Sequence, residues 1–219
     1  MKRIKIIMPF FGLLLSVALL LGAMIFPASA AEASDAVPCA GETVQHTVVK
    51  GDTMWKLAVR YHVGLSEMIA ANPQIRDPHW IYPGDILTIP LTDSAVTDYE
   101  AEVIRLVNDI RKQNGLSTLK ENWELSRVAR IKSQDMHDKG YFSHQSPTYG
   151  SPFEMMKNFN ISYRTAGENI AKGYKTPAAV VNGWMNSSGH RANILNASFT
   201  EIGVGYVANG AYWTQMFIG

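Results

Sequence analysis

Three titratable side chains stand out by their local sequence. His144 sits in Tyr141-Phe142-Ser143-His144-Gln145-Ser146-Pro147, Glu168 in Gly167-Glu168-Asn169-Ile170-Ala171, and His190 in Trp184-Met185-Asn186-Ser187-Ser188-Gly189-His190-Arg191. Two imidazoles and a carboxylate can form an acid/base pair, or hold zinc with an open coordination position. Each also has a plain structural use: His144 capping a turn, Glu168 bonding backbone amides, His190 anchoring a loop. They are 24 and 22 residues apart, so spacing alone does not bring them together. The chain has no G-x-S-x-G nucleophile elbow and no H-E-x-x-H pair.

A second set lies earlier. Gly51-Asp52-Thr53 is a turn leading into a helical pattern, Asn72-Pro73 ends another, and Ile81-Tyr82-Pro83-Gly84-Asp85 turns the chain back into Ile86-Leu87-Thr88-Ile89.

The elements that carry these residues follow from periodicity. Residues 46–90 read as strand, helix, helix, strand: His46 to Val49 is β-prone, Trp55, Leu57, Ala58 and Tyr61 have helical spacing, and Met68, Ile69 and Ala70 mark a second short helix. In the larger segment, Val103, Leu106, Val107 and Ile110 fall on one helical stripe. Leu125, Val128, Ala129, Ile131 and Met136 mark a second helix, and Phe153, Met155 and Met156 a short third. Thr176-Pro177 starts another helix, an N-cap followed by proline in the first turn. Residues 202–206 and 212–217 read as strands joined by the turn Ala208-Asn209-Gly210.

Composition narrows the function classes. Apolar residues make up 47% and charged residues 18% of 219, which excludes a disordered chain. Lys2, Arg3 and Lys5 precede an apolar run from Ile6 to Phe26, Pro27 breaks it, and Ala28-Ser29-Ala30 is a small-x-small cleavage site. The layout predicts a secretory signal peptide over 1–30 rather than a membrane anchor. Without those three cations, 17 Lys and Arg face 19 Asp and Glu, a net −2, which argues against nucleic-acid binding. The single cysteine, Cys39, excludes an intramolecular disulfide and a Cys-based zinc cluster. The expected division is signal 1–30, linker 31–45, a small domain 46–90, linker 91–97 and a large domain 98–219.

The segment HTVVKGDTMWKLAVRYHVGLSEMIAANPQIRDPHWIYPGDILTIP resembles a LysM module over its whole length, closest to those of Gram-positive wall and spore-coat proteins. The resemblance implies binding to peptidoglycan or another N-acetylglucosamine-containing glycan in a groove formed by Gly51, Asp52, Thr53 and Met54 facing Asn72, Pro73, Ile81 and Tyr82. YFSHQSP, GENIA, W-x-x-S-x-GHR-x-N-I-L and the closing YWTQMF, in that order, resemble the CAP superfamily of cysteine-rich secretory and pathogenesis-related proteins over about 98–219.

Together these imply an α+β chain: a small βααβ module followed by an α-β-α sandwich with a cleft. In the CAP family the cleft gathers two histidines and two glutamates that in some members bind a divalent metal. His144, Glu168 and His190 match three of the four, with His144 and His190 as the implied ligands of a metal such as zinc. Ser187 stands where the second glutamate belongs, which weakens metal affinity and removes a general base. Asn169, Ser187 and Gln215 are candidates to complete a hydrogen-bonded cleft.

The expected protein is secreted to the cell wall or spore surface, where wall or coat proteins are further partners. The CAP domain has a non-enzymatic ligand-binding or structural role in the favoured reading. In the alternative it is a hydrolase, metal-assisted or not, using His144, Glu168 and His190.

Overall fold

Two antiparallel strands close the N-terminal module. In the computed structural model, which describes residues 41–219, β1 (Thr43–Thr47) pairs with β2 (Ile86–Pro90), from Thr43 opposite Pro90 to Thr47 opposite Ile86. The expected signal peptide, Cys39 and most of the first linker lie outside the described residues. The strand begins at Thr43, inside the segment expected to be linker. Ladder pairing to β2 extends it in a stretch that composition alone marks as irregular.

Between the strands lie α1 (Met54–Tyr61) and α2 (Leu65–Ala70). Thr53 caps α1 by accepting from the Lys56 N–H. Met54, Leu57 and Ala58 recur on one face of α1 and pack with Val48, Val63, Met68, Leu87 and Ile89 into one small core. Asn72 fastens this core. Its amide donates to the Met68 and Thr88 carbonyls and accepts from the Thr88 N–H and the Gln74 side chain. A strand edge is thereby joined to the end of α2.

The larger domain starts with α3 (Ser94–Gln113), capped by Asp93. The predicted linker 91–97 is corrected here: its second half is the first turn of α3, because the Asp93 cap starts the helix ahead of the apolar stripe. There follow β3 (Lys120–Glu121), α4 (Trp123–Asp138), α5 (Pro152–Asn158), β4 (Ala166–Lys172), α6 (Pro177–Met185), α7 (Ser188–Ile194), β5 (Glu201–Val207) and β6 (Tyr212–Ile218). The four strands form one sheet in the order β3-β5-β6-β4, antiparallel except for the short β3–β5 pair.

Alternation along the strands divides the core in two. Ile202, Val204, Trp213 and Phe217 face α3, α6 and α7 with Val103, Val107, Val180 and Trp184; Met216 and Ile218 face α4 and α5 with Leu125, Val128, Ala129, Met155 and Met156. Helix α4 lies directly on the backbone of β5. A Cβ at Gly203 would come within 2.4 Å of the Leu125 carbonyl carbon, and one at Gly205 within 2.0 Å of the Arg130 nitrogen. Helices on both faces of a mixed sheet give the expected α-β-α sandwich. No helix among the described residues is long and apolar enough to cross a membrane.

The two domains touch through side chains. Arg127 of α4 donates from Nε and Nη2 to the two carboxylate oxygens of Glu67, each at 2.7 Å, and from Nη2 to Ser66 at 2.9 Å. The His62 and Trp123 rings stack with centroids 5.4 Å apart.

Candidate functional site

His144 and Glu168 meet. The His144 Nδ1 lies 2.7 Å from Glu168 Oε1, with the imidazole half exposed and the carboxyl buried. Residues 141–148 carry His144, and α4 holds them by two buried polar side chains. The Lys132 ammonium donates to the His144 carbonyl at 2.9 Å and to the Tyr141 hydroxyl at 3.2 Å. The Asp135 carboxylate accepts from the hydroxyls of Tyr141, Ser146 and Thr148. Burial draws the Lys132 pKa down, opposed by the charges of Glu168 and Asp135. Burial, then the hydrogen bond to Asp135, pushes the Tyr141 phenol up, so it stays a donor.

Helix α7 brings His190 to the same edge of the sheet. Asn169 Nδ2 donates to the His190 carbonyl, and Asn193 Nδ2 donates to the Glu168 carbonyl and to Asn169 Oδ1. Partial burial and the nearby His144 lower the His190 pKa, which keeps its ring neutral at pH 7. The three residues singled out from sequence therefore belong to one region: an oriented His–Glu pair with a neutral imidazole beside it.

Two buried polar atoms, Glu168 Oε2 and Gln215 Nε2, have no hydrogen-bond partner among the described residues. They do not share a pocket wall. Gln215 pairs with Asn169 across the β4–β6 ladder, while Glu168 pairs with Met216 on the α4 face. Of the residues expected to complete a hydrogen-bonded cleft, Asn169 and Gln215 are bonded to each other, and Asn169 reaches the His190 carbonyl, from the face of β4 opposite Glu168, while Ser187 is the N-cap of α7 with no side-chain cap bond.

The donor set does not fit a metal. Ser187 offers no carboxylate, and no group of three or more His, Cys, Asp or Glu among the described residues is placed to hold an ion. His144 and His190 alone fall short of the three protein ligands that a catalytic zinc keeps.

In the small domain the predicted groove splits. Met54 is 2% exposed and Asn72 1%, so Met54 is core and Asn72 spends its amide within the fold; neither side chain presents a surface to a sugar. Asp52 accepts from the Val49 N–H, and its carboxylate also meets the His46 ring and Arg60. Thr53 is occupied as a helix cap. Gly51, Pro73 and Tyr82 are exposed and Ile81 half-buried, so these four remain available. Trp80, 66% exposed in the same loop as Ile81 and Tyr82, was not among the predicted contacts. Lys132 and Asp135 were also missed; a charge at the Val128+4 position of an apolar helix stripe is the sign that could have found Lys132.

The sequence model of the cysteine-rich secretory protein family, CAP, matches residues 104–217. The chain belongs to the CAP family. A LysM domain model matches residues 46–90, so a LysM domain precedes the CAP domain. Over 126 residues the chain is 64% identical to the uncharacterized protein YkwD of Bacillus subtilis, covering 58% of this chain and 49% of YkwD. Over 50 residues it is 38% identical to the secreted LysM effector ECP6 of Passalora fulva, covering 23% of this chain and 22% of that protein. The chain thus spans about half the length of its Bacillus relative. Among solved structures, an extracellular protein containing a SCP domain from Bacillus anthracis aligns with a TM-score of 0.55 and 33% identity, over 62% of this chain and 47% of that one.

Proposed function

We propose that this chain is a secreted, wall-associated CAP protein, held on peptidoglycan by its LysM domain and binding a ligand in its CAP cleft without cleaving it. The observation that carries the anchoring half is the exposed apolar surface of the 72–82 loop, where Trp80 and Tyr82 are about two-thirds exposed beside Ile81. Exposed aromatics suit the apolar face of an amino sugar. The relatives described as secreted and extracellular agree with a place outside the cytoplasm. Spore association is the narrower form of the same proposal.

The cleft half rests on Glu168. Its Oε2 is a buried acceptor with no partner among the described residues, and it calls for a ligand donor or a water. A second reading rests on the 2.7 Å His144–Glu168 hydrogen bond. A carboxyl that orients an imidazole is half of a general acid/base device, with Glu168 fixing the ring and His144 moving a proton. The missing second carboxylate favours the first reading.

The test incubates residues 31–219, wild type and Glu168→Gln, with purified sacculi, followed by sedimentation and mass spectrometry of soluble products. Co-sedimentation of both proteins without products is the expected result. Muropeptides released by wild type alone would establish the hydrolase reading, and absence from the pellet would overturn the anchoring.

A further inference from the structure

A groove of about 550 Å³ runs between the two domains, within the size range of small-molecule sites. Its LysM wall is α1, where Trp55 is 61% exposed. Its floor is the Phe159 ring, with the Arg127 guanidinium 5.4 Å above the ring centroid. On the CAP side stand Asn158, Asn160 and Glu124. The described residues give none of these three side chains a hydrogen-bond partner, whereas Arg127 beside them donates from Nε and Nη2 to Glu67 and Ser66.

Gly64 keeps the groove in this shape. A Cβ there would lie 2.1 Å from both Arg127 Nε and Glu67 Oε2, so only a glycine lets the ion pair form against the start of α2.

We infer that this groove is a second saccharide site, taking a segment of an N-acetylated amino-sugar chain between the LysM and CAP domains. The inference rests on the glycan-binding reading above and adds a place and a set of residues to it. The chemistry matches an amino sugar group by group. A flat exposed indole accepts the apolar C–H face of a pyranose, two uncommitted amides can pair with an acetamido group's N–H and C=O, and a carboxylate accepts hydroxyl donors. The site is distinct from the 72–82 loop, because its contacts come from α1 and from the CAP domain.

The test measures binding of the β-1,4-linked N-acetylglucosamine pentamer to residues 31–219 by calorimetry. The proteins are wild type, Trp55→Ala, Asn158→Ala and Tyr82→Ala. Trp55→Ala should weaken binding about fivefold, the worth of one stacking contact. Asn158→Ala should weaken it about threefold through a lost hydrogen bond. All three side chains are exposed, so melting temperatures should stay at the wild-type value. Unchanged affinity in Trp55→Ala and Asn158→Ala, with Tyr82→Ala weakened, would overturn the groove and leave the LysM anchoring intact. No binding by wild type would overturn both.

Discussion

The contact between the domains can be measured as a coupling energy. Arg127 and Glu67 make two charge-assisted hydrogen bonds of 2.7 Å, with their side chains 16% and 17% exposed. That places the pair between an exposed ion pair, worth up to about 1 kcal/mol, and a buried one, whose breakage costs about 3–5 kcal/mol. A double-mutant cycle of Arg127→Met and Glu67→Gln should therefore give a coupling of about 1.5 kcal/mol at pH 7. Urea unfolding followed by tryptophan fluorescence reads each of the four proteins. Burial opposes ionisation of Glu67, but the hydrogen bonds and charge of Arg127 outweigh it and hold the carboxyl below its usual value of 4.5. A depressed carboxyl contributes stability that is present above its unfolded pKa and is lost as pH falls through the folded one. The coupling should accordingly shrink as pH falls below 4.5 and through the depressed folded pKa. A value under about 0.3 kcal/mol at pH 7, within the scatter of independent sites, would refute the clamp. So would a coupling that does not decline at all as pH is lowered below 4.5.

Other perturbations test the rest of the structure. Asn72→Ala strands the Thr88 N–H and two carbonyls and should destabilise the LysM domain by about 2–4 kcal/mol in urea titration. Gly205→Ala drives a methyl into the α4 backbone and should cost about 3 kcal/mol or more, seen as a large fall in melting temperature. Lys132→Met removes two hydrogen bonds to residues 141–144 and should speed amide exchange there while leaving exchange in β5 and β6 unchanged. The lowered His190 pKa means the unfolded chain binds more protons just below its ordinary value of 6.5. Stability should fall as pH drops below that point, and His190→Gln should flatten this part of the stability–pH curve.

Where local chemistry decides, the residues could be read directly. Thr176-Pro177 announces a helix start, and α4 shows its apolar stripe, because capping and periodicity are properties of a few neighbours. Strand β4 could not be seen this way. Its sequence Ala-Gly-Glu-Asn-Ile-Ala-Lys lacks apolar alternation because its polar residues are buried against partners distant in sequence. Short α7 has no side-chain cap bond to mark it. His144, Glu168 and His190 were legible as motifs, but what holds them is tertiary: Lys132, Asp135, Asn169 and Asn193 act across 11 to 25 residues of chain. The LysM groove failed at Met54 and Asn72 for the same reason, since a residue type says what it can touch and burial decides what it does touch.

The pairing of Thr43 with Pro90 puts both ends of the LysM domain side by side. The polypeptide therefore comes into the module and leaves it at one point, and the CAP domain takes up the chain again within a few residues at α3. A module with neighbouring ends is a cartridge: it can be removed, exchanged for another or duplicated in series without rerouting the backbone of the domain behind it. Among the described residues the directional contacts of Arg127 and Trp123 register that a particular module is present, so the small domain and the domain behind it can diverge on nearly separate evolutionary tracks.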